Sequence, residues 1–274
     1  MEVAGAVAIV TGAGGGGQGR AVALKLAEQG ASVVVSDVDE AGGAETVRRI
    51  RAAGGNSSFC RADVGMETDL RALVAFAESN FGGLDILVSN AGPYFPGDPF
   101  GRWEETLRTN LLGSIHATLL AIEPMRRRGG GAIVYYGSTS AVGHGRKHCS
   151  SPAYDVAKAG VARLATTMGW LHQTHGIRVN CIVPDWVATD EVCSYVDALT
   201  PEHRRANGVP ETLTTLEEAA GAVLDLIRDE TLAGRVLVWW SGQPPGLIPQ
   251  GDPGYASLEP FYATPGAAAN SPKA

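Results

Sequence analysis

Tyr154 and Lys158, in the stretch Y-D-V-A-K, are a pair that could move a proton. Spacing of i and i+4 puts both side chains on one face of a helix. A free tyrosine ionises near pH ~10. An ammonium beside it stabilises the phenolate and lowers that value, so the hydroxyl can serve as general acid or base near neutrality. The spacing is common on ordinary helices, so its weight comes from the company it keeps. Residues 11–20 read T-G-A-G-G-G-G-Q-G-R, with glycine at six of the eight positions 12–19. Between a strand and a helix, such a loop lets the backbone approach a pyrophosphate. The helix N-terminus adds N–H groups and the positive end of its dipole. Gly12, Gly14 and Gly17 satisfy G-x-G-x-x-G, and Gly19 follows. Asp37 stands about 20 residues further on, as a dinucleotide fingerprint requires. A carboxylate there accepts both hydroxyls of an adenosine ribose and repels a 2′-phosphate. The expected cofactor is NAD, with NADP disfavoured.

These residues need a frame, and the hydrophobic pattern supplies one. Apolar runs of strand length occupy 6–10, 32–36, 57–60, 84–89, 132–136, 177–183 and 236–240. Helical patterns fill 20–28, 39–53, 67–80, 103–127 and 152–175 between them. Continuous apolar runs mark strands buried on both faces. Alternation of strand and helix implies right-handed crossovers and a parallel sheet. The expected fold is α/β, a Rossmann-type doubly wound sheet of seven parallel strands with helices on both faces. Residues 1–240 form one dinucleotide-binding domain in this reading. Residues 241–274 form a tail holding seven of the fifteen prolines.

Composition narrows the function classes. The 274 residues are 45% hydrophobic and 19% charged, which is globular composition. A net charge of −7 argues against a nucleic-acid or anionic-membrane binder. Cys60, Cys149, Cys181 and Cys193 form no C-x-x-C pair and no metal-like cluster with the six histidines, so no metal is expected. Scattered cysteines suit a reducing cytosol. The apolar start lacks a basic n-region and is too short to span a bilayer. A cytoplasmic protein is expected.

Further motifs follow in order: A-D-V at 62–64, N-A-G at 90–92, T-N-L-L-G at 109–113, G-S-T-S at 137–140 and I-R-V-N-C-I-V-P at 177–184. With the glycine loop, Asp37 and Tyr154/Lys158, they make the chain strongly resemble the short-chain dehydrogenase/reductase family, in its short form, over about residues 3–240. The resemblance implies hydride transfer between a nicotinamide and the carbon of a small-molecule alcohol or ketone. Tyr154 would exchange the substrate proton, and Lys158 would bind the nicotinamide ribose and lower the Tyr154 pKa. Ser138 would hydrogen-bond the reacting oxygen, and Asn110 would hold a water in a proton relay. Asp63 and Val64 would flank the adenine, and Asn90, Ala91 and Gly92 would lie beside the cofactor. Pro184, Val187 and Thr189 would contact the nicotinamide end. The family also implies a homotetramer or homodimer, built on the helices that begin near 103 and 152.

Three departures stand out. The terminal G-x-G of the loop (Gly17, Gly19) arrives one residue late, which leaves open which of residues 14–17 touches phosphate. Ser138 lies sixteen residues before Tyr154, slightly further than usual, so Ser140 is its rival. The family's P-G after the sixth strand is here Pro184-Asp185, and Asp185 is read either as a substrate-binding acid or as a loop acid turned to solvent. Tyr94, Phe95, Trp186 and Tyr195 are expected pocket walls, and His144, Arg146, Lys147 and His148 form a basic stretch. An NADPH-using acyl reductase and a non-catalytic nucleotide-binding subunit are the competing readings. Asp37 opposes the first, and the retained Tyr154 and Lys158 oppose the second. Leu247, Ile248, Tyr255, Phe261 and Tyr262 are anchors that should hold the tail in order through about residue 262.

Overall fold

The structure is a computed structural model that describes residues 1–95, 101–142 and 151–251. Its first half alternates as the apolar runs require: β1 Val7–Thr11, α1 Gln18–Glu28, β2 Ser32–Asp37, α2 Glu40–Ala52, β3 Asn56–Arg61, α3 Glu67–Phe81 and β4 Ile86–Ser89. Then come α4 Trp103–Leu107, a π-helical turn Arg108–Leu112, α5 Gly113–Arg127, β5 Gly131–Tyr136, a 3₁₀ turn Thr139–Ala141, α6 Pro152–Thr167, α7 Leu171–His175 and β6 Ile177–Pro184. The chain closes with α8 Asp190–Asp197, α9 Pro201–Ala206, α10 Leu216–Arg228, β7 Arg235–Trp239 and β8 Gly246–Leu247.

The sheet order is β3-β2-β1-β4-β5-β6-β7-β8. The first seven strands pair in parallel, and β8 pairs antiparallel with β7. The order reverses between β1 and β4, and a ligand crevice forms at such a switch point, beyond the carboxyl ends of the strands. Both faces are covered. One core packs sheet residues such as Ala8, Val10 and Val33 with Leu26 of α1 and Val223 of α10. The other packs Ile9, Leu87 and Val179 with Leu73 of α3, Ala121 of α5 and Val161 of α6. No helix among the described residues is long and apolar enough to cross a membrane.

The structure departs from the periodicity reading in three places. The expected helix over 103–127 carries a wider π turn at Arg108–Leu112, and Asn110 sits inside that turn. The expected helix over 152–175 breaks after Thr167. Gly169 is needed at the break, since a Cβ there would come within 3.0 Å of the Gly234 backbone. The region after β6, where the periodicity shows no helix, holds α8 and α9. Their starts are capped by Thr189 and Thr200, whose hydroxyls accept from the N–H groups of Val192 and His203. The helix α10 opens on a capping box of Thr215 and Glu218.

The tail does not leave the body at residue 241. It returns as β8, and the Ile248 N–H donates to the Val236 carbonyl at 3.0 Å. The sheet therefore has an eighth strand beyond the seven parallel ones. Tyr255, Leu258, Phe261 and Tyr262 lie outside the described residues.

Candidate active site

The carboxyl ends of β1, β2, β4 and β5 open onto a cavity of about 590 Å³. That is ample for a cofactor or drug-sized ligand. The glycine loop forms one wall, and its glycines have separate reasons. Gly12 has φ +66°, and a Cβ on it would lie 2.8 Å from the Ala91 Cα. A Cβ on Gly19 would meet the Gly12 carbonyl at 2.2 Å. These two let α1 seat tightly on the end of β1. Gly15 has nothing within 4 Å of where its Cβ would be, so it faces open space on the cavity wall. Gly17 also lines the cavity. Gly14 is not on that wall. Its N–H donates to Asp37 Oδ2 at 2.7 Å, and its carbonyl accepts from Arg20. The one-residue insertion is thus absorbed by tying Gly14 down to β2 and α1 and leaving Gly15 exposed to the ligand space.

Asp37 lines the cavity at the end of β2, and its second oxygen accepts the Asp39 N–H at 3.0 Å. Arg20, the nearby cation, is held by the Gly14 and Gly42 carbonyls and by Thr46. Asp63 and Val64 follow β3 on the same wall, with Asp63 fixed by accepting the Gly65 N–H at 2.8 Å. Asn90, Ala91 and Gly92 follow β4 there. Asn90 is a brace: its side-chain amide donates to the Thr11 and Gly12 carbonyls, at 3.0 and 3.1 Å. The N–H groups of Asn90 and Ala91 both donate to Thr11 Oγ1 at 3.1 Å.

Tyr154 and Lys158 come from the first turns of α6, whose N-terminus is set by Pro152. Both line the cavity. The Lys158 Nζ lies 5.3 Å from the centre of the Tyr154 ring and donates to the Tyr136 carbonyl at 2.9 Å. Lys158 is 4% exposed, and this burial brings its pKa down to about 8. The neighbouring Cys181 is buried too, which pushes its thiol up to about 12, and its electrostatic interaction with Lys158 opposes the burial effect on both groups. Tyr94 meets Tyr154 edge-on, with ring centres 5.2 Å apart.

Asn110 is 1% exposed and donates to the Pro93 carbonyl at 3.1 Å, while its Oδ1 is buried with no partner. A Cβ on Gly92 would fall 2.2 Å from that Oδ1 and 3.0 Å from the Lys158 Nζ. Gly92 is therefore the spacer that lets Asn110 and Lys158 approach one point. Ser138 follows β5 and is not itself on the cavity wall, which its neighbour Gly137 lines. Its Oγ accepts from the Ser140 N–H at 3.3 Å and the Ser140 hydroxyl at 2.9 Å, so its own hydrogen is left to donate. Ser140 thus serves Ser138. Pro184 ends β6, Val187 is buried in a bridge to Thr214, and Thr189 caps α8. None of these three lines the cavity, and Thr189 lies 3.4 Å from the place a Cβ on Gly17 would take.

Several wall residues escaped the motif reading, Val38, Asp39, Glu105, Arg108 and Glu191 among them, as did two that carry unpartnered atoms. Gln18 occupies the variable position between Gly17 and Gly19, and Tyr136 stands two residues before Ser138. Both carry a buried polar atom without a partner: Gln18 Oε1 and the Tyr136 hydroxyl. Asp185 takes neither role read for it. Its Oδ1 accepts from Thr139 at 2.7 Å and its Oδ2 from the Ser241 N–H at 3.3 Å, so it faces the protein. Trp186 and Tyr195 stack on each other, with ring centres 6.0 Å apart. His144, Arg146, Lys147 and His148 lie outside the described residues.

The arrangement agrees with what known proteins show. The family profile for short chain dehydrogenases matches residues 6–198. The chain belongs to the short-chain dehydrogenase/reductase family. It is an NAD(P)-binding oxidoreductase of the kind that acts on CH–OH groups. The 7α-hydroxysteroid dehydrogenase of Escherichia coli is 35% identical over 205 residues, 74% of this chain and 78% of that one. The cis-4-hydroxycyclohexanecarboxylate dehydrogenase of Sinomonas cyclohexanicum is 39% identical over 189 residues, covering 67% of this chain and 74% of the other. A solved 7α-hydroxysteroid dehydrogenase, in complex with NADH and 7-oxo glycochenodeoxycholic acid, superposes with a TM-score of 0.78. It is 32% identical and covers 88% of this chain and 94% of its own.

The residues of this short-chain dehydrogenase/reductase fit a dinucleotide. Gly12 and Gly19 leave no room for a side chain where the loop packs, Gly15 borders open space, and Asp37 lines the same cavity. Asn110 Oδ1, Gln18 Oε1 and the Tyr136 hydroxyl are buried without a partner, and Gln18 and Tyr136 line the cavity. Among the described residues no group of three His, Cys, Asp or Glu side chains could hold a metal ion.

Proposed function

We propose that the protein is an NAD-dependent dehydrogenase that interconverts a secondary alcohol and a ketone. The observation that carries this reading is the Tyr154–Lys158 pair on the wall of a cavity whose other end carries Asp37. A bound nicotinamide supplies the hydride acceptor, or the donor in the reverse direction. In the oxidative direction, Tyr154 as phenolate takes the proton from the substrate hydroxyl while hydride leaves the same carbon. In reduction the Tyr154 hydroxyl returns that proton to the oxygen. Ser138 donates its free hydrogen to the reacting oxygen and orients it. Lys158, protonated, lowers the Tyr154 pKa through its charge. Burial works against that charge, the Tyr136 carbonyl accepts from its Nζ, and a ribose hydroxyl of a bound cofactor would support it further. Asn110 offers its unpartnered Oδ1 to a water between Lys158 and solvent.

Gly12, Gly15, Gly17 and Gly19 would hold the pyrophosphate, with Asp63, Val64, Asn90, Ala91 and Gly92 along the adenosine and ribose. Pro184, Val187 and Thr189 would frame the nicotinamide end. Two relatives are named for cyclic secondary alcohols, which makes such rings the first substrates to try. A panel of cyclic and open-chain alcohols and ketones, followed at 340 nm with each cofactor, tests the reading. Asp37 should make NAD bind more than tenfold tighter than NADP, about 1.4 kcal/mol, and Asp37→Ser should narrow the gap. Calorimetry showing equal affinities in the unaltered protein would overturn the cofactor assignment.

A further inference from the structure

We propose that Asp185 is a positioning residue of this site, which locks the Ser138 loop to the first residue of the C-terminal extension. The inference rests on the reading of Ser138 and Tyr154 given above. Asp185 follows β6 directly, where the family resemblance would place a glycine. Its carboxylate bridges two segments far apart in sequence. Thr139, the residue after Ser138, donates its hydroxyl to Oδ1 at 2.7 Å. Ser241, two residues past β7, donates its N–H to Oδ2 at 3.3 Å. The Asp185 N–H itself donates to the Trp239 carbonyl at 3.0 Å. A second clasp lies beside it: Ser241 Oγ accepts the Trp186 N–H at 3.2 Å and donates to the Trp186 carbonyl at 3.3 Å. The loops leaving β5, β6 and β7 are thus joined through one carboxylate.

The chemistry favours this over a substrate-binding acid, because both oxygens are engaged by donors from the protein. Thr139 is buried, and a glycine at 185 would leave its hydroxyl without that acceptor. Hydrogen bonds to an ionised group are among the stronger ones, and an orphaned buried donor costs more than the bond contributes. Ser138 begins the same 3₁₀ turn, so freedom gained at Thr139 reaches the serine that orients the reacting oxygen. The carboxylate also makes the entry to β8 part of the site's frame.

The test compares Thr139→Val, which keeps the shape and removes the donor, with Asp185→Gly and Asp185→Asn. Amide hydrogen exchange across residues 138–142 should quicken about tenfold in Thr139→Val and Asp185→Gly, the loss of roughly one charged hydrogen bond. It should quicken less in Asp185→Asn, which keeps one acceptor oxygen. With the best substrate of the panel, kcat should fall about tenfold in the first two variants while calorimetric NAD affinity stays within about twofold. The double variant should lose little more than either single one. Unchanged exchange in Asp185→Gly overturns the proposal. So does altered exchange with an unaltered kcat, which would make the bridge structural only. If no substrate turns over, or Tyr154→Phe turns over normally, the functional reading has failed, and the exchange measurement still decides whether Asp185 positions the loop.

Discussion

Tyr154 and Lys158 sit one helical turn apart, yet they experience different surroundings, and that difference is chemical. Tyr154 is half-buried beside Tyr94, whereas Lys158 is sealed under the end of β5. Tyr154→Phe removes the transferable proton and keeps the ring. It should lower turnover by at least about 100-fold and leave NAD binding intact by calorimetry. Lys158 also couples the fold to pH. Its folded pKa is about 8 against an ordinary 10.5. Between those values the unfolded chain holds a proton that the folded chain has lost. Stability therefore rises with pH through that window and gains nothing from this group below it. Urea unfolding at pH 7 and at about pH 10 should show the wild type gaining on Lys158→Met. A constant difference between the two proteins would contradict the burial argument. The buried phenols of Tyr135 and Tyr136, whose pKa values are raised by burial, are common to both proteins and cancel in the comparison.

At the scale of the element, the glycine loop separates packing from binding. Gly19→Ala forces a Cβ against the Gly12 carbonyl and the Asn90 amide, and overpacking of this kind costs about 1–3 kcal/mol. Gly15→Ala meets nothing within 4 Å. It should keep the melting temperature and weaken dinucleotide binding, whereas Gly19→Ala should lower both. A Gly15→Ala protein that binds NAD as tightly as the wild type would move the phosphate elsewhere on the loop. The same scale shows what periodicity misses. The helices α8 and α9 are short, so they present too few turns for an apolar stripe. Their capping threonines were nonetheless present in the chain, followed in the first turn by Asp190 and Glu191 in α8 and by Glu202 in α9.

Across the whole molecule, the remaining question is how copies associate. Leu112 and Leu119 on the π turn and α5, and Val156 on α6, are 43%, 57% and 51% exposed. The π turn packs on α6, and large apolar side chains left exposed on these helices suit an association surface. The homotetramer or homodimer implied by the family would cover them. Light scattering at micromolar concentration should give an oligomer, and Leu119→Glu with Val156→Glu should convert it to a smaller species that still binds NAD. A monomeric wild type would refute this arrangement.

The alternation of apolar runs determined the parallel sheet, because strands buried on both faces must be apolar throughout while the crossing helices need only one apolar stripe. The glycine cluster, Asp37 and the Tyr154/Lys158 spacing were legible for a similar reason: each acts through local backbone geometry. Other features depended on distance through space. Gly14 turns to Asp37 rather than to the cavity, and Arg20, on the next helix, holds its carbonyl. The β8 strand exists because β7 had a free edge, and a Pro-rich tail carries no period-two signal for two residues. Asp185 could be read as a substrate acid or a solvent acid, since its partners Thr139 and Ser241 lie 46 and 56 residues away. A carboxylate's role is set by what donates to it, and only the tertiary structure brings those donors together.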